Sequence, residues 1–317
     1  MKALVTGCAG FIGSQLCERL AERGDSVIGV DCFTSYYAEQ RKRANLAALM
    51  ARPNFTLVEG DLLALDLKNL LSPVDCVFHT AGQPGVRGSW GGQFDEYVRN
   101  NILATQRLLE AVKSNGGHTK VVFSSSSSIY GNVERLPVSE SDLPRPFSPY
   151  GTTKLAAEHL CMLYHANYGV SIVSLRYFTV YGPRQRPDMA FHIFIKALLQ
   201  NAPIILHGDG CQTRDFTYVD DIVDANLAAA DKPVAGEIFN IGGGSRQSLR
   251  DAIAILERIS GQKADLDCRP AIYGDVRDTW ADTERARQYL GFQPKVALDE
   301  GLKRQFEWEK TIYPPQD

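Results

Sequence analysis

Three glycines, Gly7, Gly10 and Gly13, follow a short apolar run, Lys2 to Val5, and open an amphipathic stretch, Phe11 to Glu22. The run reads as a buried strand and the stretch as a helix, so the glycines occupy a strand-to-helix turn. In such a turn Gly7 permits the sharp bend, Gly10 lets a pyrophosphate approach the backbone, and Gly13 lets helix and strand pack closely. The helix start, with Phe11 and Ile12, then offers free N–H groups and a positive dipole end to phosphates. Asp31 ends the next apolar run, Ser26 to Val30. A carboxylate there accepts from a ribose 2′-hydroxyl and repels a 2′-phosphate, which favours NAD over NADP. The competing reading of Asp31 is a solvated loop acid. Asp61-Leu62, after the third apolar run, reads equally as an adenine contact and as a helix N-cap.

Further apolar runs at Phe55 to Val58, Cys76 to His79, Val121 to Ser124 and Ser171 to Leu175 alternate with helical stretches, among them Asn101 to Lys113 and Tyr150 to Tyr168. That alternation predicts an α/β fold, a doubly wound parallel sheet with helices on both faces, over residues 1–177. Beyond Tyr177 glycine and proline become frequent and the elements shorten. Residues 178–317 are expected to form mainly a smaller mixed α/β substrate lobe, with some later segments returning to the first domain. Its helices are expected at Ala190 to Gln200, Asp220 to Ala230, Leu249 to Ile259 and Leu298 to Glu309.

A net charge of -3 lacks the basic excess of a nucleic-acid binder. No segment approaches the roughly 18 unbroken apolar residues of a membrane span. The chain enters its first strand at once, leaving no room for a signal peptide, and its seven cysteines form no C-x-x-C pair. A cytoplasmic protein with reduced thiols is expected. The histidines make no metal pattern. His79 reads as core or cofactor-loop packing, and Gln40 to Arg43 as a solvated helix face.

Tyr150 and Lys154 are spaced to share one helical face. A neighbouring ammonium, with the charge of an oxidised nicotinamide, lowers a phenol's pKa, and the phenolate can take a proton from a sugar hydroxyl as hydride leaves the same carbon. The preceding strand ends in five consecutive serines, Ser124 to Ser128. A hydroxyl there can bond the reacting oxygen.

Gly7 to Gly13, Ser126, Tyr150 and Lys154 together resemble the extended short-chain dehydrogenases/reductases that act on nucleotide sugars, and the resemblance runs over essentially the whole chain. It implies Ser126 as the triad hydroxyl, Tyr150 as the base, Lys154 as its modulator and Asn101 as an asparagine near the strand-four cofactor loop. Within the family the chain resembles the UDP-glucuronate 4-epimerases in particular. The markers are Gly85 to Gly91, Thr179 to Phe191, and Gly208 to Gly210 with Arg214 to Tyr218. His79-Thr80-Ala81-Gly82 departs from the Leu-Ala-Ala common among relatives, and serine replaces the frequent threonine of the triad.

Related dehydratases carry Asp-Glu where this chain has Ser127 and Ser128, and UDP-glucuronate decarboxylases carry Glu at the second place. Hydride return to the opposite face of a 4-keto sugar is the simplest remaining course. Ser127, Ser128 and Thr179 are suited to gripping a uronate carboxylate; the bland alternative is a serine run that caps and packs. The resemblance places Arg214 and Arg277 near the diphosphate, although Arg277 reads almost as well as a surface ion pair. Arg87 and Arg186 are further candidates for the sugar or phosphate pocket. Phe191 reads equally as a uracil neighbour and as plain core. UDP-glucose 4-epimerisation and UDP-glucuronate decarboxylation remain alternatives, with a non-catalytic NAD-binding scaffold behind them. A homodimer built on the helices near Asn101 to Lys113 and Leu155 to Tyr168 is expected by resemblance.

Overall fold

The computed structural model describes residues 1–271 and 274–314. The first half runs β1 (Lys2–Thr6), α1 (Phe11–Glu22), β2 (Ser26–Asp31), α2 (Glu39–Met50), β3 (Phe55–Glu59), α3 (Leu67–Leu71), β4 (Cys76–His79), α4 (Phe94–Tyr97), α5 (Ala104–Ser114), β5 (Lys120–Ser126), α6 (Pro149–Tyr168) and β6 (Ile172–Tyr177). A π-helical stretch, Val98–Leu103, joins α4 to α5. Then come β7 (Val180–Tyr181), α7 (Ala190–Leu199), β8 (Ile204–His207), β9 (Thr213–Asp215), β10 (Thr217–Tyr218) and α8 (Val219–Asp231). The chain closes with β11 (Ile238–Ile241), β12 (Arg246–Ser248), α9 (Leu249–Ser260), β13 (Leu266–Arg269), α10 (Glu284–Leu290) and α11 (Leu298–Ile312).

Seven strands form one parallel sheet in the order β3-β2-β1-β4-β5-β6-β11. This is the doubly wound α/β architecture expected from the alternation. Because both faces are covered, the strands are apolar on both sides. Ala3, Val5, Phe78, Val122 and Val173 join a core with residues of α1, α2 and α8. Leu4, Val77, Val121, Phe123 and Ile172 point the other way, into a core with residues of α3, α5 and α6. The first core continues without a break into the segment after β6, through Tyr181, Phe191, Phe216 and Leu302. The strand order reverses between β1 and β4, and such sheets open a crevice at the carboxyl ends of the strands flanking that reversal.

β5 extends two residues past the apolar run, because Ser124, Ser125 and Ser126 pair with Leu175, Arg176 and Tyr177 of β6. Within Gln40 to Arg43 the expectation of a solvated face fails at Lys42. Its ammonium folds back onto the Thr34 carbonyl (2.7 Å) and hydroxyl (3.0 Å), which leaves the residue buried. Among the described residues no helix is long and apolar enough to cross a membrane.

Candidate active site

The carboxyl ends of β1 to β4 open onto a cleft whose wall includes Gly7, Gly10, Phe11, Ile12, Gly13, Asp31, Asp61 and Leu62. Two of the glycines are sterically required. Gly7 has φ +70°, and a Cβ there would lie 2.9 Å from the Ala81 backbone. A Cβ on Gly13 would lie 2.2 Å from the Gly7 carbonyl oxygen, which is not a possible contact. No side chain caps α1 at Gly10, so its first amides are left to an anion. Asp31 accepts from the backbone N–H of Ala9 (3.0 Å) and Phe33 (2.8 Å), which fixes its carboxylate at the end of β2. Asp61 feels burial, but the Leu63 N–H (2.9 Å) and Arg99 (2.6 Å) outweigh it and hold its carboxyl below the ordinary range.

Asn101 does not line this cleft; Asn100 does. Asn101 is buried behind the wall. Its side chain accepts from Gln83 N (2.7 Å) and donates to Gln83 O (3.1 Å) and Thr153 Oγ1 (2.9 Å). It therefore ties the loop after β4 to the first turns of α6. The π-helical stretch presents consecutive asparagines to these two tasks.

His79 supports the same loop. Burial, and secondarily Lys154, push its pKa down to about 3, so the ring is neutral. The Thr105 hydroxyl donates to the Asn101 carbonyl (2.6 Å) and so accepts from His79 Nε2 (3.0 Å). Nδ1 is then the acceptor, taking the Thr6 hydroxyl (2.8 Å), which itself accepts from Ala81 N–H (3.1 Å). One chain of bonds runs from the glycine loop's strand to the asparagine.

The segment between β2 and α2 also reaches the cleft, through Cys32, Thr34, Tyr36 and Tyr37, and α2 adds Lys42. Sequence reading missed the four segment residues, which carry no periodicity, and placed Lys42 on a solvated helix face. Burial lowers the Lys42 ammonium's pKa, and Asp31 partly restores it.

A second cleft shares Phe11, Ile12, Pro84 and Arg186 with the first. Its wall brings together Ser126, Ser127, Ser128, Tyr150, Thr179 and Arg214. α6 begins sharply here because the Ser148 hydroxyl accepts from Gly151 N–H (3.1 Å) and Pro149 occupies the first turn. Tyr150 thus stands at the helix start, edge-on to Tyr97 with ring centroids 6.3 Å apart. Burial raises its phenol above the usual range; the Ser126 hydroxyl and then Arg186 act against that rise.

Lys154, one helical turn after Tyr150, is not on the wall of either cleft. Its ammonium donates to the Ser124 carbonyl, sits 4.5 Å from the centre of the Phe123 ring and is pushed down to about 8 by burial. Arg186 is a cation on the same wall that favours the phenolate, and the Lys154 ammonium is fixed by its bond to the strand carbonyl.

The remaining candidates divide. Arg214 lines the cleft and donates to the carbonyls of Thr213 and Arg277 (2.9 Å each). Arg186 is held by Asp188 through two bonds of 3.0 Å. Arg87 stays outside the wall, bonded to the cleft residue Asp275 at 3.1 Å; its neighbour Val86 faces the cleft instead. Arg277 is 66% exposed, pairs with Asp209 at 3.4 Å and does not reach the wall. Phe191 is core: its ring lies 4.6 Å from that of Phe216, and Met189 takes the place on the wall. The helical spacing of Phe191, Phe194, Ile195 and Leu198 was the signal for that burial. Neighbouring Arg184 and Gln185 build the loop, Arg184 bonding Ser14 and Glu18 of α1 and Gln185 bonding Val180 O and His192 N. No group of three His, Cys, Asp or Glu side chains among the described residues could hold a metal.

Known proteins agree with this construction. Residues 3–242 match the NAD dependent epimerase/dehydratase family. The chain is 41% identical over 311 residues to the UDP-glucuronate 4-epimerase of Thermodesulfobacterium geofontis, covering 97% of this chain and 95% of that one. It is 47% identical over 315 residues to the uncharacterised UDP-glucose epimerase YtcB of Bacillus subtilis, covering 99% of both. The crystal structure of UDP-glucuronic acid 4-epimerase from Bacillus cereus, in complex with UDP-glucuronic acid and NAD, matches with a TM-score of 0.95 at 46% identity, over 99% of this chain and 100% of that one. With the glycine cradle, the seven-stranded parallel sheet and the Tyr150 helix start in place, the chain belongs to the NAD dependent epimerase/dehydratase family.

Proposed function

We propose that the chain is an NAD-dependent UDP-glucuronate 4-epimerase, forming UDP-galacturonate through a transient 4-keto sugar. The observation that carries this reading is the shared wall of the two clefts. Tyr150, the hydroxyls of Ser126 to Ser128 and Thr179, and Arg186 line one cleft beside the glycine cradle, with no acid at 127 or 128.

Gly7, Gly10, Phe11, Ile12 and Gly13 hold the NAD pyrophosphate, Asp31 its adenosine ribose, and Asp61 and Leu62 border the adenine. Asn101 acts on the cofactor loop from behind. Bound NAD supplies the acceptor, and later the donor, of a hydride at C4 of the sugar. Tyr150 as phenolate takes the C4 hydroxyl proton while Ser126 bonds that oxygen. Lys154, one helical turn from Tyr150, is the modulator whose charge, with that of the oxidised nicotinamide, lowers the phenol's pKa. Once the keto sugar has turned over, Tyr150 returns the proton and hydride arrives from the opposite face. Atoms and electrons balance over the cycle.

A 4-keto uronate is a β-keto acid, which loses carbon dioxide when its C–CO₂ bond stands perpendicular to the ketone plane. Ser127, Ser128 and Thr179 donate to the carboxylate and hold it out of that orientation, next to the positive charge of Arg186. Arg214 is placed for the diphosphate. Arg87 and Arg277 act from the rim.

The protein works as a homodimer in the cytoplasm. Leu103, Leu163 and Tyr168 are 50%, 55% and 58% exposed on the π-to-α5 helix and on α6, an apolar surface suited to a second copy. All seven cysteines are free. Sedimentation of the wild type and of Leu163→Glu tests the dimer, with a monomer expected for the variant. The activity is tested by NMR of the protein with NAD and UDP-glucuronate, with UDP-glucose in parallel. UDP-galacturonate without carbon dioxide is expected. A keto-pentose product would make the protein a decarboxylase, and turnover of UDP-glucose alone would change the substrate.

A further inference from the structure

Beneath the serine run lies an ion pair that the mechanism above does not use. Glu158 is one helical turn beyond Lys154 on α6, and Arg176 lies on β6 in register with Ser125. Both side chains are almost fully buried, at 2% and 4% exposure. Arg176 Nη2 donates to Glu158 Oε1 (2.7 Å) and Nε to Oε2 (3.1 Å), a two-bond fork. Glu158 keeps one further bond and Arg176 two, of which one goes to the Glu140 carbonyl (3.3 Å); the Glu158 bond and the other Arg176 bond lead to either side of the serine turn. Glu158 Oε2 accepts the Ser125 hydroxyl (2.6 Å). Arg176 Nη1 donates to the Tyr130 hydroxyl (2.6 Å), and the guanidinium lies 4.9 Å from the centre of that ring.

Tyr130 is anchored in turn. Its hydroxyl donates to Asn240 Oδ1 on β11 (2.7 Å), whose amide donates to the Val138 carbonyl (2.9 Å). Between the two fixed points, Ser127–Ile129 make a single 3₁₀ turn capped by Ser126 Oγ, which accepts from Ser128 N–H (3.1 Å). The turn leans on α6 closely enough that a Cβ on Gly151 would lie 2.4 Å from the Ser128 carbonyl oxygen.

We propose that the buried Glu158–Arg176 pair is a positioning element for the reaction: by holding Ser125 and Tyr130 it sets the span of the serine turn, and so keeps the Ser127 and Ser128 hydroxyls on the substrate carboxylate. The inference rests on the epimerase reading. If the turn slackens, the carboxylate gains freedom at the 4-keto stage. The C5–CO₂⁻ bond then breaks, its electron pair enters the ketone as an enolate, C5 takes a proton, and carbon dioxide leaves with a UDP-4-keto-pentose.

Removing either charge alone strands the other in the interior and endangers the fold. The test therefore removes one tie. Tyr130→Phe keeps the ring and the ion pair but loses the hydroxyl bond at one end of the run. With NAD and UDP-glucuronate, NMR and carbon dioxide release give the ratio of keto-pentose to UDP-galacturonate. The pair as positioning element predicts a rise in that ratio of about tenfold or more, the scale of one lost bond to a charged group, at near-native helix content. Ser125→Ala cuts the tie at the other end, serves if Tyr130→Phe does not fold, and is expected to move the ratio the same way. An unchanged ratio in a folded variant, whatever happens to turnover, makes the pair merely structural and overturns the inference. A wild type that makes no UDP-galacturonate overturns the inference and the epimerase reading together, so the two failures are distinguishable.

Discussion

The cofactor cleft and the substrate cleft meet along Phe11, Ile12, Pro84 and Arg186 but are built differently. The heart of the first is one turn of chain, Gly7 to Gly13, whose shape is set by close contacts among backbone atoms, its own and those of Thr80-Ala81. The second gathers short segments around residues 85, 126, 150, 179, 186, 214 and 275, far apart in the chain and aimed by hydrogen bonds to other elements. A wall made of backbone is broken by one added methyl group. A wall made of side chains is altered by removing a hydroxyl or a charge, and its backbone persists.

That contrast can be broken at several points. On the substrate side, Tyr150→Phe removes the proposed proton acceptor and leaves the wall standing. Turnover is expected to fall about 10²- to 10⁴-fold with substrate binding nearly unchanged, as read by product NMR and by titration with UDP-glucuronate. On the cofactor side, Gly13→Ala forces a methyl group to 2.2 Å from the Gly7 carbonyl oxygen. NAD affinity, by calorimetry, is expected to weaken by well over tenfold, about 1.4 kcal/mol or more. Gly10→Ala, whose Cβ lies 3.2 Å from the same oxygen, tests the pyrophosphate approach with less packing strain and should weaken NAD less. Equal effects at the two positions would mean that loop geometry does not decide.

The glycine loop and Asp31 were legible because their chemistry is local: a turn, a helix start and a strand end within one supersecondary unit. Tyr150 and Ser126 were legible from spacing and from placement at strand and helix ends. What was not legible depends on distant partners. Asn100 and not Asn101 faces the cleft, because Asn101 is claimed by Gln83 and Thr153. Lys42 turns inward onto Thr34, and the Lys154 ammonium goes to a strand carbonyl. Arg277 and Arg87 are held at the rim by Asp209 and Asp275. A charge in a sequence does not declare which acid will hold it. β11 joins the sheet only after the chain has passed through α7 and α8; a return of later segments was expected, but no local pattern singled out Ile238–Ile241 as the one that makes it.

Two smaller effects sharpen the cofactor side. Asp31→Ala should narrow the preference for NAD over NADP by about tenfold, measured as the ratio of the two affinities. His79, with its pKa near 3, stays neutral where the unfolded chain's histidine, at 6.5, takes a proton. The unfolded state therefore binds more protons between pH 6.5 and 3, and stability is lost as pH falls through that window. Between pH 7 and pH 5 the loss is on the order of 2 kcal/mol. Denaturant unfolding of His79→Asn should show a correspondingly flatter pH dependence, and an unchanged slope would remove His79 from the account.

The central claim is that C4 is oxidised and reduced by the same bound cofactor while Tyr150 moves the proton. It is tested most directly by incubating the protein and NAD with UDP-glucuronate deuterated at C4, in ordinary water, and reading the product by NMR. The account predicts UDP-galacturonate that keeps the deuterium at C4, because hydride leaves and returns without meeting solvent. Product carrying solvent hydrogen at C4 would contradict it, and would put proton exchange in place of hydride transfer.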